Sequence, residues 1–184
     1  MKSIKKLFTI VEELRERNGA RVSELATSLN MPKSTVYRHL ETLEELEYVT
    51  KTGDIYHIGS KFLFIGTAVR NRESAYAHIE PKIKELARET GERAQFMIEE
   101  HGYLSYVYYE TGDQAVQTNA QLGKQMPIHA TSGGKAILAK MTDEEVSAII
   151  ERRGLAKITE NTITDKGAFY DELQQIREND VSYN

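Results

Sequence analysis

No cysteine occurs anywhere in this 184-residue sequence, and that one absence removes disulfides, iron–sulfur clusters, thiolate zinc sites and cysteine nucleophiles together. Any metal would need His and carboxylates, and no ligand spacing of that kind is present, so neither metal nor cofactor is expected. Proline is scarce at 3 residues while 40% of the chain is hydrophobic, a composition that buries a core and does not stay disordered. Long apolar runs are also missing. Nothing approaches the roughly 20 residues needed to cross a bilayer, and Met1-Lys2-Ser3-Ile4 opens an amphipathic pattern, not a signal peptide. A cytoplasmic protein without a membrane partner is expected.

Negative charge dominates only part of the chain. The formal net charge is -4, but residues 1–72 hold 12 Lys/Arg against 9 Asp/Glu, whereas residues 73–184 hold 12 against 19. A binding head on an acidic body would have this asymmetry. Residues 1–59 alone balance at 9 against 9, so composition permits nucleic-acid binding without demanding it.

What is present begins with helical periodicity. Ser3 is placed to cap a helix whose apolar residues Ile4, Leu7, Phe8, Val11 and Leu14 share one face, and Asn18-Gly19 ends it. A short helix over Ser23–Leu29 follows, then a tight turn at Asn30-Met31. Pro32 opens a third helix, where its missing N–H costs nothing. In that helix Val36, Leu40 and Leu43 point one way, and Ser34, Tyr37, Arg38 and Glu41 lie on the opposite stripe. The β-prone runs at 48–51 and 55–58, separated by Thr52-Gly53-Asp54, read as a hairpin, which after a reading helix is a wing. A helix from Ser60 to about Arg72 carries an apolar surface broad enough to bury against a partner.

Beyond it, an amphipathic helix is predicted over Ala75–Thr90, ending at Gly91. Three strands of an antiparallel meander are predicted over 93–100, 103–110 and 115–122. Helices follow over 134–140, 143–152 and 165–178, the second introduced by a capping box from Thr142 to Glu145. The fold class is α+β. The domains read as 1–59, a winged helix-turn-helix; 60–73, a linker helix; and 74–184, a second domain.

Three stretches resemble the IclR family of transcription regulators. They are Val22-Ser23-Glu24-Leu25-Ala26 through Met31-Pro32-Lys33-Ser34-Thr35-Val36-Tyr37-Arg38-His39-Leu40 to Leu46-Glu47-Tyr48-Val49; then Pro127-Ile128-His129-Ala130-Thr131-Ser132-Gly133-Gly134-Lys135-Ala136-Ile137-Leu138-Ala139; and Asn161-Thr162-Ile163-Thr164 ahead of Leu173-Gln174-Gln175-Ile176-Arg177. All three occur in order over nearly the whole chain. The resemblance implies a DNA-binding repressor or activator with a GAF-like effector domain, acting as a homodimer or homotetramer on a near-palindromic operator. Relatives continue past the position of Asn184, so the resemblance also predicts that the C-terminal part of the effector domain is missing here.

The reading helix places its N-terminal residues against base edges. Lys33, Ser34, Thr35, Tyr37 and Arg38 are the candidates, with Lys51 of the wing on the backbone. Arg38 carries a planar fork suited to guanine or phosphate, whereas Ser34 and Thr35 suit phosphate. The bland alternative is that Arg38 and Glu41 are ordinary solvated surface. His57 reads as a surface strand residue.

In the second domain, small residues at a strand-to-helix junction leave backbone N–H groups and the positive helix end free for an anion. Thr131, Ser132, Gly133 and Gly134 are therefore candidate effector contacts, for a carboxylate metabolite above all; the resemblance puts Ser132 and Gly133 nearest the ligand. The competing reading is that the glycines only allow helix and sheet to pack closely. His129 and Lys135 have no carboxylate at motif spacing, and a structural role is favoured for them. Tyr103, Tyr106, Tyr108 and Tyr109 pack on the sheet by default, with some available to line a pocket.

The favoured function is an effector-controlled, sequence-specific transcription regulator, not an enzyme. The alternatives are a winged-helix protein-interaction module in a transcription complex and, third, an α+β enzyme, which the missing nucleophile and metal motifs disfavour.

Overall fold

The computed structural model describes residues 2–116 and 121–184. They form two units, one ending at Asn71 and one beginning at Arg72, each with its own buried core.

In the first unit, helix α1 runs over Lys2–Arg17 and buries Ile10, Val11 and Leu14. Ser3, expected as its cap, lies inside the first turn. The stop is where the sequence puts it: Asn18 (φ 53°) and Gly19 (φ 113°) both take positive φ, and Gly19 N–H donates back to Leu14 O at 3.0 Å. A side chain at position 19 would also meet the His57 ring 2.5 Å from its Cβ. Helix α2, Val22–Ser28, starts with the Glu24 carboxylate accepting from Arg21 N–H at 2.6 Å. Asn30 (φ 49°) turns the chain. Helix α3 covers Lys33–Glu45, and Pro32 stands just before it, with its carbonyl accepting from the Thr35 and Val36 amides. Val36, Leu40 and Leu43 are its buried residues.

Strands β1 (Val49–Thr52) and β2 (Ile55–Ile58) pair antiparallel in the register Val49 to Ile58. The turn between them is two residues, Gly53-Asp54, with Gly53 at φ 59°. Tyr56 exchanges both backbone hydrogen bonds with Ala20, so the wing is tied to the turn after α1. Helix α4, Lys61–Arg70, buries no residue.

In the second unit the expected long helix divides. A 3-10 segment, Ser74–His78, precedes helix α5, Ile79–Thr90. Pro81 is the reason: a continuous helix would set its ring against the Ala77 carbonyl, whereas in the first turn of α5 it gives up no bond. Strands β3 (Arg93–Glu100) and β4 (Tyr103–Thr111) pair antiparallel, with a bulge where Phe96 faces Tyr108 and Met97 faces Tyr106. The extra residue, Val107, interrupts the two-residue alternation. The strand expected at 115–122 falls partly outside the described residues. Residues 117–120 lie outside the described residues, the flanking 115–116 and 121–122 are not strand, and β5 is Gln125–Pro127, paired with Tyr103–Ser105. A turn at 121–124 precedes it, with Gly123 at φ 76° and its N–H donated to Tyr106 O. Helices α6 (Ser132–Ala139), α7 (Asp143–Arg153) and α8 (Lys166–Asn179) complete the unit. Thr142 and Glu145 form the expected capping box, and Asp165 caps α8 by accepting from Ala168 N–H. Leu104, Leu138, Val146, Phe169 and Leu173 form the fully buried centre. No helix among the described residues is long and apolar enough to cross a membrane.

Candidate functional site

The first candidate site is the outer face of α3. Its buried side is anchored by Val36 and Leu40 at zero exposure, so the opposite stripe must face outward. Lys33, Ser34, Tyr37, Arg38 and Glu41 are exposed and Thr35 is half-buried at the edge. Tyr37 is a large ring left 47% exposed there. Lys51 is exposed on β1, its ammonium 5.1 Å from the centroid of the Tyr56 ring. A hydrogen bond to Tyr56, the largest cause, raises the Lys51 pKa above the ordinary lysine value. The wing cation thus stays charged. The structure brings Lys33, Ser34, Thr35, Tyr37 and Arg38 onto one surface, and no ion pair among the described residues engages Lys33 or Arg38.

The carboxyl end of α3 is held by a contact the sequence did not announce. Lys61, at the start of α4, donates to the Leu46 carbonyl at 2.9 Å and lies 5.1 Å from the Tyr48 ring centroid. Phe62 meets the same ring edge-on at 5.0 Å. A cation on the last carbonyls of a helix also complements its dipole. The signal was weak because fifteen residues separate Lys61 from Leu46.

The second candidate site is the start of α6. Thr131 is its N-cap, its hydroxyl accepting from Gly134 N–H at 3.1 Å, and Lys135 N–H returns to Thr131 O. One of the candidate amides, that of Gly134, is therefore taken. The amides of Ser132 and Gly133 find no acceptor among the described residues. The two glycines differ. A Cβ at Gly134 would lie 1.9 Å from the Ile128 carbonyl oxygen, whereas one at Gly133 would press on the Met97 Cε at 2.4 Å and meet Leu104 Cδ2 at an ordinary 3.8 Å. Backbone cannot yield and a methionine tip can, so Gly134 serves close packing while Gly133 sits under a movable side chain.

Nearby, Lys135 is buried and donates to Glu172 Oε1 of α8 at 2.6 Å. This is the carboxylate that no local spacing supplied, 37 positions away. His129 is buried too, with Nε2 2.9 Å from the Ala156 carbonyl oxygen and its ring edge-on to Phe169. Lys135 joins α6 to α8, and His129 ties the turn ahead of α6 to the segment after α7 and to Phe169 of α8. A cavity of about 490 Å³ is lined by His129, Lys135, Thr162 and Glu172 among others; none of Thr131, Ser132, Gly133 and Gly134 lines it. Of the four tyrosines, Tyr108 is buried, Tyr103 stacks on Arg153 at 4.1 Å and Tyr109 on Arg93 at 5.2 Å. No group of three or more His, Cys, Asp or Glu suited to a metal exists among the described residues.

Residues 3–53 match the IclR helix-turn-helix domain, and residues 68–184 match the domain described as "Bacterial transcriptional regulator IclR C-terminal". The chain belongs to the IclR family. Among similar IclR-type proteins, the acetate operon repressor of Salmonella typhimurium is 24% identical over all of this chain and 69% of its own length. The transcriptional regulator KipR of Bacillus subtilis is 28% identical over 99% of this chain and 74% of its own. The crystal structure of the Thermotoga maritima IclR superposes with a TM-score of 0.77 at 26% identity, covering 99% of this chain and 74% of that one. An IclR homologue from Microbacterium hydrocarbonoxydans, solved in complex with 4-hydroxybenzoate, shares the fold with a TM-score of 0.77 at 17% identity, covering 96% and 74%. These relatives are transcription regulators, and the head and body match them in the same order. The expected family, and an α+β fold with an N-terminal helix-turn-helix, are thus confirmed.

Proposed function

We propose that this IclR-family chain is a sequence-specific transcription regulator in the cytoplasm, not an enzyme, whose DNA affinity is set by a small carboxylate effector. The observation that carries the reading is the outer face of α3, where Lys33, Ser34, Tyr37 and Arg38 stand exposed on a helix whose other side is locked into the core. Lys33, Tyr37 and Arg38 enter the major groove, Ser34 and Thr35 fix register on phosphate, and Lys51 of the wing adds a backbone contact. The domain roles follow: 1–59 bind DNA, 60–73 link, and 74–184 bind the effector. Support for the effector site comes from the open amides of Ser132 and Gly133 beside the Thr131 cap and Gly134. That a structural relative holds 4-hydroxybenzoate fits an anionic ligand.

The partners are double-stranded DNA with a near-palindromic site and a second copy, or three further copies, of this chain. Leu63 and Phe64 of α4 are 73% and 77% exposed, more apolar surface than a solvated linker needs. Selection from a random duplex library, followed by titration at fixed salt, tests the function. A recovered two-fold symmetric motif bound at least a hundredfold more tightly than scrambled duplex is the expected result. Equal affinity for all sequences, or none for any, would replace it with the protein-interaction reading.

A further inference from the structure

Beside the reading face lies a groove that the family assignment leaves unexplained. Lys2 and Lys6, one helical turn apart on α1, face Thr35, Arg38, His39 and Thr42 of α3 across a concavity of about 450 Å³. No carboxylate lines it. Three arginines of the same unit are paired, Arg15 with Glu12, Arg17 with Glu13 and Arg21 with Glu24. Lys2, Lys6 and Arg38 enter no ion pair among the described residues. An acidic chain has thus left three cations from two helices unpaired around one hollow. The local field is visible in His39, whose pKa is lowered first by burial and then by Arg38 and Lys6.

Three uncompensated positive charges around an open concavity repel one another unless an anion arrives, and the hollow adjoins the helix that reads DNA. We propose that this groove is a clamp for the phosphodiester backbone, in which Lys2 and Lys6 neutralise two consecutive phosphates of one strand and Arg38 closes the groove from the reading side. The clamp rests on the DNA-binding reading and adds to it an element that carries no sequence information. Phosphate contacts position a protein on the duplex, and each one neutralised releases counterions.

The test uses the full chain as wild type, as Lys2→Met with Lys6→Met, and as Lys5→Met, which removes an exposed lysine of the same helix that does not line the groove. Affinity for the selected duplex and for scrambled duplex is measured from 50 to 200 mM salt. For the double variant the slope of log affinity against log salt should become shallower by about 1.8, or roughly 0.9 per lost phosphate contact. Both duplexes should weaken by the same factor, so that the preference between them survives. Lys5→Met should change the slope by less than half as much. An unchanged slope in the double variant overturns the clamp while leaving the DNA reading intact. A loss confined to the selected duplex also overturns it, by making these lysines readers of bases. Titration with inorganic phosphate separates the remaining source: a millimolar thermal shift that the double variant abolishes, with unchanged DNA slopes, would make the groove a small-anion site. If wild type binds no duplex, the DNA reading falls and the clamp with it.

Discussion

Lys135 of α6 and Glu172 of α8 meet at 2.6 Å, with 8% and 27% of their side chains exposed. The pair joins two helices around a core of Phe169, Leu138 and Leu173. Lys135→Met should keep the packing of the stem yet strand the carboxylate, at a cost of about 1–3 kcal/mol, moderated because Glu172 still reaches water. Restoring neutrality with Glu172→Gln in the same chain should recover part of the loss. Denaturant unfolding of the two variants checks this, and a Lys135→Met midpoint equal to wild type would deny the pair a structural role.

Arg38→Ala should weaken binding to the selected operator by about 1–3 kcal/mol, the worth of a good base contact, because no other partner in the unit depends on it. The thermal midpoint should stay within a degree of wild type. Affinity unchanged in a salt-controlled titration would remove Arg38 from the reading set.

The paired glycines should separate. Gly134→Ala drives a methyl against the Ile128 carbonyl and should destabilise the second unit by about 1–3 kcal/mol or more. Gly133→Ala displaces only the end of Met97 and should cost less than about 1 kcal/mol. Gly133→Leu should preserve DNA binding and abolish the thermal shift given by whichever carboxylate stabilises wild type. Retention of that shift would move the effector site away from α6.

His39 supplies a pH dependence. Its pKa is held below the ordinary value of the unfolded chain, by burial first. Between the folded and unfolded values the unfolded chain binds more protons, so stability is complete above about pH 6.5 and declines as pH falls. Thermal midpoints from pH 7.5 to 5.5 should drop more steeply in wild type than in His39→Gln. Phosphate in the groove works the other way by favouring the imidazolium, so duplex affinity should rise as pH falls over the same window. Parallel midpoint curves for the two proteins would leave His39 without influence.

The exposed apolar face of α4 predicts self-association. Phe64→Glu should shift the full chain toward monomer in sedimentation at micromolar concentration and lower operator affinity, since one two-fold site then meets two independent heads. A wild type that is monomeric under the same conditions would contradict the expectation.

The reading head was largely legible because its determinants are local. Asn30 and Pro32 mark the turn, Gly19 marks a backbone conformation, and the period of Val36, Leu40 and Leu43 orients the helix between them. The capping residues Thr142 and Asp165 belong to the same class. What escaped depended on distance or on a single competing residue. Glu172 finds Lys135 only once two helices are packed, and Lys61 finds Leu46 only once the wing has folded back. Pro81 carried a legible veto on a helix through Ala77, but the apolar period of Ile79, Ile83 and Leu86 masked it. The strand at 125–127 was not read because its three residues follow the turn signal of Gly123 too closely to show a period of their own. The roles of Gly133 and Gly134, adjacent and identical in composition, are distinguishable only by what stands above each.

The bulge in β4 has a bearing on how this sheet tolerates changes of length. Phe96 remains opposite Tyr108 and Met97 opposite Tyr106, so Val107 is the one extra residue in the register at that point. Elsewhere in β3 and β4, deleting one residue would slide every later partner by one place and turn each side chain to the wrong side. Deleting Val107 would leave the other pairings as they are, at the loss of Val107's own contacts, among them its buried packing beside Ile98 and Tyr108. The strand therefore contains a built-in expansion joint, a single address at which the chain can shorten by one residue without rewriting the rest of the sheet.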